Sequence, residues 1–442
     1  MLFKANFPSS PSLKNMYYGL LAGIFAIAIF CIDFLFDQKD FFSIFPLYTL
    51  AFISLIILYK TKCSWKFLLG LGIVSRVSLI FIFPGLSDDI YRFYWDGRLV
   101  LSGISPYGVL PQDVLSKNLP YLDQTLFDLL NSRHYYTIYP PISQLYYALS
   151  ALIGDIGTAS IIMKILFLIT ETIGVVYLIR LLKKVDLPVR MFSLYFLNPL
   201  VIIEGVGNLH YEVLMISFLC MSIYYIFNNN NIMYGSFLMS ISIGIKLLPL
   251  MVLPYFWCRM QGKDKWIFFS SLAGFLIIIF LSMASSVEFV SFLSSVDLYF
   301  RKFEFNAGIY YALRWLGEQI SGYNLIRYLG PLLGLITIGY NFYLATKNKI
   351  FDLKSFIIYC LLAWTGYLLL ATTVHPWYVI SILFFGIFTS FRYAFIWSYL
   401  IFISYVNYSY SAYYENLWWI ALEYIILLAY IFLEVNIRQV KG

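Results

Sequence analysis

The chain has 442 residues, of which 61% are hydrophobic and only 12% are charged, and its mean hydropathy is +0.79. A water-soluble core cannot bury that much apolar surface, and runs of about 18 or more apolar residues recur along the chain. This pattern excludes a soluble globular protein and predicts an all-α, polytopic transmembrane helical bundle that forms one domain over residues 1–442. The net charge of +7 does not predict a nucleic-acid partner, because the basic residues are spread over short connectors.

The hydropathy pattern predicts a bundle of about 12–14 membrane spans. Their expected ranges are 14–36, 41–60, 66–83, 158–182, 191–205, 211–227, 232–245, 247–258, 266–283, 324–345, 353–372, 377–391, 394–408 and 416–434. Several are only about 12–17 residues long, which is typical of broken or half-helices that line a cavity. The segment 141–154 is expected to be an outer-leaflet half-helix, because a span there would place Lys183 and Lys184 outside.

Basic residues concentrate in alternate connectors, and most acidic residues fall in the connectors between them. The positive-inside rule therefore predicts cytoplasmic N- and C-termini. Two large loops, 84–157 and 284–321, are then expected outside, each with helices lying at the membrane surface. The apolar run near the N-terminus is long enough to span and lacks a clear cleavage site, so we expect no signal peptide.

The five cysteines form no CxxC or Cys/His pattern, so we expect neither disulfides nor a cysteine metal site. No HExxH spacing occurs either. The acidic clusters are compatible with a divalent metal, but no pattern indicates one, and we expect no cofactor.

The most unusual stretch, residues 87–98, follows a predicted span and combines three carboxylates with two guanidinium groups. Charges near a bilayer cost free energy, which favours a functional role. Asp88 and Asp89 fall in the first turn of a predicted helix, where they are candidate catalytic residues. Arg92 is a candidate phosphate ligand, although it can also pair with Asp96 one turn away. The alternative is a surface helix held by ion pairs.

Further polar clusters fall on the same predicted face. Glu204, Asn208 and His210 surround a glycine-broken hairpin and are candidate ligands of the sugar or acceptor. Lys246 is a lone cation in an apolar stretch and is expected to bind the donor phosphate, with snorkelling to the interface as the alternative.

Other candidate ligands lie in the same connectors. For the phosphate they are Arg301 and His375, and for the acceptor or sugar they are Tyr139, Gln144 and Trp377. A helix start at 139–144 and interfacial packing at 375–378 are the structural alternatives. Together the clusters predict one outward-facing cavity with carboxylates, cations and many aromatic rings.

The ordered set of motifs resembles the GT-C-fold glycosyltransferases that use polyprenyl-phosphate sugars, and is most similar to bacterial polyprenyl-phosphate-mannose-dependent mannosyltransferases. The motifs are Ser87–Arg98 with Gly103–Tyr107, Tyr139–Pro141 with Gln144, Asn198–His210, Lys246–Pro249 and His375–Tyr378, over about 80–380. In this chain the acidic loop follows the third predicted span, whereas many relatives carry it after the first. Tyr211-Glu212 stands where relatives often have Asn-Asp.

The resemblance implies a bacterial inner-membrane enzyme with a polyprenyl-phosphate sugar donor, a lipid or glycan acceptor, and membrane lipids as surroundings. It also implies an acidic base in the first outer loop, which favours Asp88 with Asp89 close behind.

The chemistry expected is a single displacement in which the acceptor hydroxyl loses its proton to this base and polyprenyl phosphate leaves with inversion. A lipid-linked oligosaccharide flippase is the alternative. That class predicts polar groups on both leaflets and internal repeats, whereas the unusual charges here cluster on one face.

Overall fold

The computed structural model describes residues 11–117, 119–228, 231–283, 285–410 and 414–439. The predicted cytoplasmic termini, 1–10 and 440–442, and the first residue of the second predicted outer loop lie outside the described residues. Within these ranges the regular structure is helical, apart from one isolated parallel β-bridge between Phe305 and Thr373.

The α-helices follow in chain order. The first group is α1 (Pro11–Leu35), α2 (Phe41–Lys60), α3 (Trp65–Val77), α4 (Asp89–Leu101), α5 (Pro111–Val114), α6 (Gln124–Leu129), α7 (Pro141–Ser150) and α8 (Ile156–Lys184). The second is α9 (Ser193–Phe196), α10 (Pro199–Ile202), α11 (Glu212–Phe227), α12 (Ile232–Ile245), α13 (Leu253–Arg259) and α14 (Gly262–Phe280). The third is α15 (Ser286–Lys302), α16 (Ile309–Ser321), α17 (Ile326–Lys347), α18 (Leu353–Leu370), α19 (Val379–Gly386), α20 (Tyr393–Leu400) and α21 (Leu417–Gln439).

Among the described residues, 7 helices are long and apolar enough to cross a membrane, namely α1, α2, α8, α14, α17, α18 and α21. The pair Val189–Phe196 and Pro199–Gly207, bent by 60°, adds another if it forms one span. Shorter apolar helices at Glu212–Phe227, Ile232–Ile245 and Pro376–Gly386 fall in three further predicted spans. The chain is therefore a polytopic helical bundle, and these three short helices occur where the sequence predicts short spans.

Some predicted spans are interrupted in the structure. The predicted span 66–83 is helical only to Val77, and the chain then continues in turns and bends whose carbonyls need partners. Lys164 Nζ supplies them, lying 3.1 Å from the Leu79 carbonyl oxygen and 2.6 Å from that of Ile82. The segment expected to be a half-helix forms α7, whose 10 residues are too few to cross a bilayer core.

A buried ion pair joins α3 to α8. Arg76 Nε and Nη2 each lie 3.0 Å from a carboxylate oxygen of Glu171, and Nη1 donates to the carbonyls of Gly72 and Phe196. Both side chains are almost fully buried. Such a pair is tolerable in an apolar bundle because these hydrogen bonds compensate the cost of desolvation.

Helix α4, which carries the acidic motif, packs closely against α7. The predicted pairing on its face occurs between Arg92 and Asp96, with 2.8 Å between Nε and Oδ1, and both residues are buried. At the crossing, a Cβ on Gly97 would lie 2.5 Å from the carbonyl oxygen of Tyr147. The close approach of the two helices therefore depends on a glycine at this position.

The second predicted outer loop contains α15 and α16, and its middle is anchored to the segment that precedes His375. Phe305 donates its N–H to the Thr372 carbonyl at 3.1 Å and accepts from the Val374 N–H at 2.8 Å. Asn306 donates to the buried carboxylate of Glu423 on α21 at 3.0 Å. The last helix thus fixes the second loop beside the residues around His375.

We expect Gly97→Ala to destabilise the protein by about 1–3 kcal/mol, because the added methyl group overpacks the crossing of α4 and α7. The measurement is the thermal unfolding midpoint of purified protein in detergent. Gly19→Ala in α1 is the matched control, since a Cβ there meets nothing within 4 Å. Equal midpoints for the two variants would contradict the close packing at Gly97.

The topology prediction can be tested by cysteine labelling in intact cells. Cysteines introduced at Lys117 and Ser321 should react with a membrane-impermeant maleimide from outside. Native Cys63 and a cysteine at Lys349 should react only after permeabilisation, because both lie in basic connectors. Labelling of position 349 from outside would overturn the proposed orientation.

Candidate functional site

Residues from distant segments meet at one end of the bundle. They come from the start of α4, the hairpin between Gly207 and Glu212, the end of α12 and the turn before α19. The residues thus gathered include Asp89, Glu204, Asn208, His210, Glu212, Lys246, His375 and Trp377. The structure thus brings these predicted site residues together, and the outward-facing cavity stays a prediction.

Asn208 connects the hairpin to the acidic loop and to the first helix. Its Oδ1 accepts from the Leu86 N–H at 2.9 Å, and its Nδ2 lies 3.0 Å from both Asp33 Oδ1 and the Ile203 carbonyl. The residue expected to bind sugar therefore positions the start of the acidic motif. Asp33 was not among the residues predicted from the sequence, although a single carboxylate inside a predicted span is a signal that could have indicated it.

The two adjacent carboxylates face different surroundings. Asp89 Oδ1 accepts from Asn131 Nδ2 at 2.9 Å, and Asp89 Oδ2 lies 4.0 Å from His210 Nε2. Asp88 faces the connector between α1 and α2, where partial burial raises its pKa and contacts with Gln38 and Lys39 lower it. Asp89 is thus the member of the pair that belongs to the gathered cluster.

His210 is held through one ring nitrogen and through one face of its ring. Its Nδ1 lies 2.9 Å from Glu204 Oε2 and 3.2 Å from the Glu204 carbonyl oxygen, and its ring stacks on Trp377 at 3.5 Å. Glu204 Oε1 in turn accepts from the Tyr405 hydroxyl at 2.8 Å. Burial lowers the pKa of His210 to about 4, so the ring is neutral at neutral pH.

Lys246 has a protein partner. Its ammonium forms an ion pair with Glu212, whose side chain is buried, and it lies 4.8 Å from the ring centre of Tyr378. The Lys246 side chain is 27% exposed, so the charge remains accessible. Glu212 is therefore the counter-charge of the predicted phosphate ligand.

His375 extends the aromatic stack. Its ring lies between Trp377, at 4.4 Å, and Phe305, at 4.6 Å. Burial lowers the pKa of His375 to about 3, and its Nδ1 has no hydrogen-bond partner among the described residues. A neutral histidine here can donate or accept a hydrogen bond but carries no positive charge for a phosphate.

Two predicted phosphate ligands are engaged elsewhere. Arg92 is buried and donates to Asp96 and to the carbonyls of Ser132 and Tyr135. Arg301 pairs with Asp297 at 2.6 Å. The hydroxyl of Tyr299, two positions earlier in α15, contacts the hydroxyl of Tyr378. Residues two apart on a helix point in different directions, so Arg301 faces away from Tyr378.

Two predicted acceptor ligands support the loop and helix around the site. Gln144 Nε2 lies 3.1 Å from both Asp96 Oδ2 and Thr137 Oγ1. The Tyr139 ring packs edge-on against Phe93 of α4, and its carbonyl accepts from Tyr107. These contacts connect α4, α7 and the segment between them.

Within the described part of the chain, no group of three or more His, Cys, Asp or Glu residues could hold a metal ion. The expectation that the protein needs no cofactor stays a prediction.

Residues 54–261 match the model of the MptA_B family, described as alpha-(1->6)-mannopyranosyltransferase, N-terminal domain. A search of curated proteins returned no match. The matched segment includes the acidic motif, the 204–212 hairpin and Lys246, and it favours a transferase over a flippase. Residues 54–261, a little under half of the chain, are thus similar to the alpha-(1->6)-mannopyranosyltransferase family, and this match with the polytopic helical bundle supports a GT-C-like mannosyltransferase.

Proposed function

We propose that this mannosyltransferase takes mannose from a polyprenyl-phosphate donor and transfers it to a hydroxyl of a lipid or glycan acceptor. The reaction would take place at the extracytoplasmic face of a bacterial inner membrane, with membrane lipids around the protein. One observation carries the proposal: a partly exposed carboxylate, Asp89, and a partly exposed ammonium group, Lys246, are both close enough to the buried His210 for their charges to act on its ring.

Asp89 is the proposed proton acceptor. The acceptor hydroxyl attacks the anomeric carbon as its proton passes to Asp89, the bond from that carbon to the phosphate oxygen breaks, and the configuration inverts. The family resemblance favours Asp88, but the contacts of Asp89 with Asn131 and its approach to His210 support the second carboxylate. Asp88 has its main partners in the α1–α2 connector.

Lys246 is the proposed ligand of the donor phosphate. Polyprenyl phosphate leaves with one more negative charge than it carries in the donor, so a positioned cation stabilises the transition state more than the ground state. The proposal requires Lys246 to share its charge between Glu212 and the phosphate. The exposed fraction of its side chain supports this sharing.

We expect Asp89→Asn to lower kcat for mannosyl transfer by about 10²–10⁴-fold, because the amide cannot take a proton at neutral pH. The assay uses purified protein in liposomes with radiolabelled polyprenyl-phosphate-mannose and candidate acceptors. Donor binding should be nearly unchanged.

Asp88→Asn is the matched comparison for Asp89→Asn. Its effect should be less than about tenfold, since a partly exposed ion-pair interaction contributes only about 0–1 kcal/mol. A larger loss of kcat in Asp88→Asn than in Asp89→Asn would indicate that Asp88 is the base. Near-wild-type transfer in the double variant would rule out a catalytic role for both carboxylates.

We expect Lys246→Met to weaken use of the donor, seen as a raised KM for polyprenyl-phosphate-mannose together with a lowered kcat. Lys246→Arg should retain more activity than Lys246→Met, because a positive charge is the main requirement for a phosphate ligand. Since Met leaves the buried Glu212 unpaired, the double variant Lys246→Met, Glu212→Gln separates loss of charge from loss of folding. Unchanged donor kinetics in a folded double variant would argue that Lys246 only snorkels.

A further inference from the structure

The hydrogen bonds around His210 fix which ring nitrogen carries the proton. Nδ1 lies 3.2 Å from the backbone carbonyl oxygen of Glu204 and 2.9 Å from Glu204 Oε2. A carbonyl oxygen can only accept, so Nδ1 is the protonated nitrogen in the neutral ring. Nε2 therefore presents an unshared electron pair.

That electron pair is buried and has no partner. His210 Nε2 makes no hydrogen bond among the described residues, and the side chain is only 2% exposed. An unsatisfied acceptor in the interior costs free energy, which suggests that it is used in another state of the protein. Asp89 Oδ2 lies 4.0 Å away and is also an acceptor when ionised, so the two atoms can bond only when a proton arrives between them.

We propose that His210 is a second catalytic group, which receives at Nε2 the proton that Asp89 takes from the acceptor hydroxyl. This inference rests on the proposed function. Asp89 is 21% exposed and can meet a substrate, whereas His210 lies behind it. The backbone carbonyl of Glu204 accepts from Nδ1–H and so orients the ring, while the Glu204 carboxyl group, held by Tyr405, lies 2.9 Å from the same nitrogen.

The proposed transfer accounts for each bond that breaks and forms. The acceptor O–H bond breaks as its oxygen bonds to the anomeric carbon, and the electron pair of the breaking carbon–oxygen bond leaves on polyprenyl phosphate. Protonated Asp89 then donates to His210 Nε2 after a side-chain rotation closes the gap to about 2.6–3.2 Å. The ring becomes an imidazolium and Asp89 regains its charge. After the products leave, the proton returns through Asp89 to solvent, which restores the neutral ring without consuming another reactant.

The charges that face His210 favour this transfer only after donor cleavage begins. Burial, the strongest influence, and Lys246 at the end of α12 oppose the imidazolium, while Asp89 on α4, Glu212 and the hydrogen bond to the Glu204 backbone favour it. His375, the remaining titratable neighbour, is buried and neutral. Negative charge that develops on the departing phosphate offsets Lys246 and raises the pKa of the ring during the reaction.

The test is a double-mutant cycle between His210→Asn and Asp89→Asn. The Asn amide nitrogen can replace Nδ1–H as a donor to Glu204 but leaves nothing at the position of Nε2. In the wild-type background we expect His210→Asn to lower kcat by about 10²-fold with unchanged KM for donor and acceptor. In the Asp89→Asn background the same change should have little further effect, because both groups handle one proton.

The control is His134→Gln, an exposed histidine whose Nδ1 lies 3.1 Å from Gln112 Oε1, and it should keep wild-type kinetics. If His210→Asn does not fold, Glu204→Gln tests the same step, since the backbone carbonyl of residue 204 still accepts from Nδ1–H while the carboxyl group beside the ring is replaced, and it should lower kcat without raising KM. The proposed role of His210 would be overturned if the losses of kcat in His210→Asn and Asp89→Asn multiplied in the double variant. A raised KM with unchanged kcat in His210→Asn would overturn it as well. Wild-type protein that transfers no mannose would instead refute the proposed function.

Discussion

The hydrogen bonds of Asn208 are the interaction on which the geometry of the site depends. One buried amide joins α1 through Asp33, the acidic loop through the Leu86 N–H, and its own hairpin through the Ile203 carbonyl. Its donor and acceptor groups are thus used within the protein, and each lost bond would leave a buried partner unsatisfied. The position of Asp89 follows from this connection, because only a short segment separates Leu86 from the first turn of α4.

Buried charges within the bundle provide the rigid support for that connection. Arg76 and Glu171 join α3 to α8, and Lys164 supplies donors to the carbonyls that α3 leaves free when it ends early. Glu423 anchors the second loop through Asn306. Such groups are costly in an apolar environment unless they are fully paired, so they tolerate few alternative arrangements. The functional groups lie at helix ends, where breaks in the helices let polar side chains meet.

Within the site, charged and neutral groups are separated. The stack of His210, Trp377, His375 and Phe305 is buried, and burial keeps both histidines neutral. Asp89 and Lys246 remain partly exposed beside this stack. A low-dielectric wall behind the charged groups strengthens their interaction with a substrate, which is the arrangement that electrostatic catalysis requires.

The sequence by itself determined the helical membrane class, most of the helix positions and the segments that supply the site, because hydropathy and isolated polar residues are local properties of the chain. It also indicated Asp88, Asp89, His210 and Lys246 among the functional candidates, and the family resemblance favoured Asp88 of the two carboxylates. Only the tertiary structure decided that Asp88 and Asp89 face different surroundings, that Arg92 and Arg301 have other partners, and that Asp33 and Glu212 contact site residues. These distinctions depend on contacts between residues far apart in the chain, and spacing along one helix cannot reveal which distant group lies opposite a side chain.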